Sequence, residues 1–132
     1  MPSDSESRIP GPPGRDLWHL PKIVKLTIER VRYSKPRRHV VAGRVIEFTE
    51  GVEILIRTNA EIPVRALSPA LFIGRVEVAE NEQVAETEYR FFVLDQERLV
   101  DGAAIGFGWA GTAGRHSRTG FRYRKPSRTK TR

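Results

Sequence analysis

The chain has 132 residues, a formal charge of +7 and no cysteine. That length makes one domain with room for one core. The absence of cysteine excludes disulfide staples and cysteine metal sites, and no apolar run is long enough to span a bilayer. The N-terminus lacks the basic and apolar regions of a secretory signal, so a cytoplasmic protein is expected.

Residues 1–20 read as a disordered segment. Ser3, Asp4, Ser5, Glu6 and Ser7 precede Pro10-Gly11-Pro12-Pro13-Gly14, a breaker-rich run with little to bury. Leu17, Trp18 and Leu20 then carry enough apolar surface to dock on the body.

From residue 21 the pattern is strand after strand. Val24, Leu26 and Ile28 alternate with polar neighbours, and a slip to Val31 and Tyr33 predicts a bulge near Glu29-Arg30. Val40, Ala42, Ile46 and Phe48 share one parity; Val52, Ile54 and Ile56 share another. Thr49-Glu50-Gly51 between them reads as a tight turn. Val64 and Ala66 fit a short edge strand bounded by prolines. Phe72, Val76 and Val78 lead to a polar turn at Glu80-Asn81-Glu82-Gln83.

Tyr89, Phe91 and Val93 alternate with Arg90, Phe92 and Leu94, so this strand is apolar on both faces and belongs in a central position. Asp95 is placed to N-cap one helical turn through Leu99, and Asp101-Gly102 is a turn. Ile105, Phe107 and Trp109 form the next strand face. Their small neighbours Ala104, Gly106 and Gly108 imply that something packs close on the other side. Gly111 to Gly120 reads as a loop, and Phe121 and Tyr123 as a closing strand. Residues 125–132 read as a basic disordered tail.

About seven short strands and no ordinary helix predict an all-β protein, a single antiparallel β-sandwich over residues 21–124. An immunoglobulin-like arrangement is favoured on strand number, with a small barrel as the alternative.

Catalytic patterns fare poorly. Gly106 to Gly111 matches G-x-G-x-x-G, but no helix can follow it in the 21 residues that remain. His19, His39 and His116 lack metal spacing and read as structural or surface residues, so no metal and no cofactor is expected. Glu77, Glu80, Glu82, Glu86 and Glu88 flank a predicted hairpin, where carboxylates are solvated rather than tuned for proton transfer. Trp109 at the end of an apolar face reads as core rather than as a sugar platform. Ser127 is a phosphosite by composition alone. A non-catalytic protein is expected.

Charge is the strongest functional signal. Residues 115–132 carry Arg115, Arg118, Arg122, Arg124, Lys125, Arg128, Lys130 and Arg132 and no acid, which leaves residues 1–114 at −1. Lys35, Arg37 and Arg38 add a second basic cluster. Together these are the candidate polyanion-binding residues, for nucleic acid, a nucleoprotein assembly or an acidic protein surface. Phe121 and Tyr123 interleave with arginines as in single-strand binders, but strand alternation assigns the two rings to the core. The alternative function is a protein-interaction or structural module that self-associates into a homo-oligomer through sheet edges and the acidic 77–88 hairpin. Those acids also complement the chain's own basic stretches.

Overall fold

A computed structural model describes residues 19–41, 43–112 and 116–132. The expected N-terminal disorder over 1–18 and the position of Arg115 lie outside the described residues.

Among the described residues nine strands form two packed sheets. In chain order they are β1 (Ile23–Val41), β2 (Arg44–Thr58), β3 (Pro69–Ile73), β4 (Val76–Val78), β5 (Asn81–Ala85), β6 (Glu88–Val93), β7 (Ala104–Trp109), β8 (Ser117–Arg122) and β9 (Thr129–Thr131). One sheet has the order β9-β1-β2-β6-β5 and the other β4-β3-β7-β8. All pairings are antiparallel except β9 with β1. The all-β, two-sheet expectation therefore holds.

The core lies between the sheets and follows the period-2 rule. Val52, Ile54 and Ile56 of β2 and Tyr89, Phe91 and Val93 of β6 face Leu71 and Ile73 of β3 and Ile105, Phe107 and Trp109 of β7. Tyr123 joins them. Trp109 is thus core, and the sugar-platform reading is set aside. Gly106 to Trp109 lies in β7 and is followed by a turn rather than a helix, which removes the dinucleotide pattern.

Several local expectations are corrected. Pairing between β1 and β2 runs unbroken from Lys25 to Arg32, so no bulge forms at Glu29-Arg30. Irregularities fall instead at Ile23/Lys25, which turns Ile23 inward and Val24 outward, and between Arg32 and Arg37. There β1 places Tyr33 to Pro36 opposite the single residue Thr49. Pro36 has no N–H to offer a ladder, which suits a bulge.

Thr49-Glu50-Gly51 is not a turn. It lies inside β2, with Gly51 opposite Val31. The hairpin closes where Val41 pairs with Arg44, and Gly43 takes a φ of 76° there. Residues 59–68 form no strand but an irregular crossing between the sheets, with Val64 91% exposed. Residues 81–85 form β5 rather than a turn, and the reversal comes at Glu86-Thr87. Gln96–Arg98 is a single 3-10 turn that Asp95 does not cap with its side chain. Strand β8 starts inside the expected 111–120 loop.

The C-terminal segment is the largest correction. Residues 125–132 do not hang free throughout, because Thr129–Thr131 pairs in parallel with Arg30–Arg32. The Arg132 N–H donates to the Arg32 carbonyl at 2.9 Å, and Ser34 N–H donates to the Arg132 carbonyl at 2.6 Å. The edge N–H and C=O groups of β1 supply the reason: left bare, they would have only solvent as partner.

Candidate functional site

The outer face of the five-stranded sheet holds a second cluster. Glu29, Glu53 and Phe92 lie side by side across β1, β2 and β6. Beyond the bulge, the hairpin folds over this face. His39 packs on Phe92 with ring centroids 4.7 Å apart and stacks on Phe48 at 5.3 Å, and the Arg37 guanidinium sits 4.4 Å over Phe92. Phe92 is therefore buried on its own side of the sheet, and the two-faced burial expected of this strand is achieved.

Glu53 is only 3% exposed. Its Oε2 accepts a 2.5 Å hydrogen bond from Tyr33. Its Oε1 makes no hydrogen bond but lies 3.4 Å from both Arg90 and Arg132. Burial, with Glu53 next in effect, pushes the Tyr33 phenol far above its ordinary pKa. Glu29 is a partner of the same cations: Arg132 lies at 3.0 Å and Lys130 at 3.3 Å. Burial raises the Glu29 carboxyl, but hydrogen bonds and charge from Arg132 and Lys130 outweigh it and bring the pKa below its ordinary value.

The candidate cations thus divide into two groups. Arg37 pairs with Glu82 at 3.4 Å, Arg38 with Glu47 at 3.2 Å, and Lys130 and Arg132 with Glu29. Glu82 also binds Arg90 at 2.8 Å, and Glu80 lies 3.3 Å from His39. The acidic hairpin and the basic stretches therefore attract each other within the fold. Of the acids expected to be solvated, Glu80 and Glu82 are instead half-buried and paired with the chain's own basic groups.

The second group lies on one margin of the sandwich. Among the described residues, strand β8 is an edge of one sheet and β9 an edge of the other, joined by the short crossing 123–128. Arg118, Arg122, Arg124, Lys125 and Arg128 lie along it, all exposed and none with a carboxylate within ion-pair distance among the described residues. Lys35, in the β1 bulge, is likewise exposed and unpaired. The Arg122 guanidinium donates to the Gly102 carbonyl at 2.9 Å, and the Lys125 N–H to Asp101 at 2.8 Å. A groove of about 470 Å³ runs between Ile28–Arg30 and Pro126–Lys130. The opposite margin is formed by β4 and β5, where Glu77 and Glu82 lie.

Phe121 and Tyr123 behave as strand alternation predicts. Tyr123 is buried in the core and Phe121 packs against it. The close neighbour implied by Gly106 and Gly108 is His116. A Cβ on Gly106 would collide with the imidazole, whose Cγ and Nε2 would lie at 2.9 Å, and a Cβ on Gly108 would meet the His116 Cβ at 2.9 Å. His116 stacks on Phe72, with centroids 4.6 Å apart and planes 11° from parallel. The glycine spacing signalled a close approach, but nothing in the spacing of the histidines marked His116 as the group that makes it.

Among the described residues no helix is long and apolar enough to cross a membrane, and no group of three or more potential metal ligands forms. No protein-family model, curated protein or solved structure matches the chain.

Proposed function

We propose that this protein is a non-catalytic β-sandwich module that docks on a polyanion, nucleic acid or a nucleoprotein assembly first, in a cytoplasmic setting. One observation supports this reading above the others: Arg118, Arg122, Arg124, Lys125 and Arg128 share one margin without carboxylate partners. Unpaired surface guanidiniums suit phosphates, which they bind in bidentate geometry. Lys130 and Arg132, held by Glu29, contribute less than the charge count suggests. Binding to mixed single- and double-stranded nucleic acid should fall steeply with salt, as counterion release requires. Charge reversal at Arg118, Arg122 and Arg124 should abolish it, whereas Lys130→Gln should leave most of it. No salt-dependent binding by the full chain would sink the reading.

A second reading is self-association. The basic β8–β9 margin and the β4–β5 margin with its acids lie on opposite sides, so copies would join head to tail rather than about a two-fold axis. Sedimentation at rising concentration and low salt tests it: open-ended growth supports it, and a strict monomer rules it out.

A further inference from the structure

We propose that the His116–Phe72 ring pair is a stacking platform for a base of single-stranded nucleic acid, with Arg118 and Arg122 taking the flanking phosphates. This rests on the polyanion reading and assigns it a ligand class.

Phe121 and Tyr123, the rings that interleave with arginines, do not serve as a platform: Tyr123 lies in the core and Phe121 packs against it. His116 is different. It is an exposed residue whose ring lies parallel to Phe72 and is seated where Gly106 and Gly108 leave room for it. Phe72 itself is buried, so the imidazole is the accessible member of the pair. A ring fixed in this way offers a planar surface with little rotamer freedom left to lose on binding.

Its surroundings carry the right charge. Arg118 pairs with Gly106 across β7 and β8 and Arg122 with Ala104, so both guanidiniums share the outer face with His116. A groove of about 410 Å³ lies between them, lined by Ala104, Ile105, Gly120 and Phe121. A planar ring on the same sheet face as an arginine-lined groove is an arrangement that can hold single strands without sequence preference. Duplex nucleic acid fits less well, because its bases are already stacked.

The test compares two probes of equal length and charge, an oligothymidylate and an abasic oligomer, by fluorescence anisotropy at low salt. The wild-type protein should bind the oligothymidylate about 10-fold more tightly. His116→Ala should erase that preference while leaving the abasic affinity unchanged, and His116→Tyr should restore it. Gly106→Ala, which displaces the imidazole, should reproduce the His116→Ala result, with a thermal melt to confirm that the variant is folded. Arg118→Glu should weaken both probes. Equal binding of the two probes, or a preference that survives His116→Ala, overturns the platform while leaving the polyanion reading standing. If neither probe binds, both readings fall.

Discussion

Arg132 and Glu53 lie 3.4 Å apart, the guanidinium of the residue that follows β9 against a carboxylate that is almost wholly buried in the middle of the sheet. Tyr33 and Arg90 complete the surroundings of that carboxylate. A buried carboxylate is tolerated only when it is paired and hydrogen-bonded, and Arg132 is one of the groups that compensate the burial of Glu53.

Replacing Glu53 should therefore be among the most damaging polar substitutions. Glu53→Ala leaves the buried Tyr33 hydroxyl without its partner and removes one of the two carboxylates facing Arg90, and should cost about 3 kcal/mol. Glu53→Gln keeps an acceptor for Tyr33 and should cost roughly half as much. Urea unfolding with an unchanged slope measures both.

Acid should loosen the β9 contact. The folded pKa of Glu29 is lowered, so its stabilising effect is complete above the ordinary carboxylate value of 4.5 and is lost as pH falls through the folded value. Glu29→Gln should cost about 1 kcal/mol at neutral pH, as expected of a partly exposed ion pair. The gap between variant and wild type should narrow as pH falls below 4.5 and close only once pH lies below the lowered folded value. Stability curves for the two proteins across that range provide the check.

Alkali should act through the tyrosines. Burial raises the pKa of Tyr33, Tyr89 and Tyr123 above 10.0. Both the folded and unfolded chains are neutral at these groups below pH 10, and above it only the unfolded chain ionises readily. Stability is therefore full below pH 10 and falls as pH rises further. Because the chain has three tyrosines, tyrosinate absorbance should stay flat past pH 10 and then rise together with loss of the circular dichroism signal. Free titration of even one tyrosine near 10 in the folded protein would contradict the burial.

Removing residues 129–132 should destabilise the fold, whereas trimming a free tail would be neutral. The Ser34 amide donates to Arg132 in the intact protein and should be protected from hydrogen exchange there and lose protection in the truncated chain. Equal exchange in the two proteins would mean that β9 does not pair in solution.

The inner core was legible because each of its strands repeats one pattern. Val52, Ile54 and Ile56, then Tyr89, Phe91 and Val93, then Ile105, Phe107 and Trp109 alternate without interruption. The outer-face cluster was not, because its burial depends on a bulge that local patterning does not reveal. Gly51 shows the ambiguity: it resembles a turn glycine, yet it lies inside β2, paired with Val31 on one side of the strand. Charge placed Arg118 and Arg122 correctly on the surface. It did not foresee the pairing of Lys130, because Glu29 lies 101 positions away and nothing local links the two.

The bulge at Tyr33 to Pro36 and the pairing of β9 give this protein two buried compartments that share one sheet, one apolar and one of mixed rings and charges. The compartment between the sheets draws on strands from both ends of the chain. The outer one is closed only by the distal hairpin and the last few residues. Such a molecule has two ways of coming apart. The outer compartment can open as a local unit, wetting Glu53 and Phe92, while the sandwich beneath stays folded.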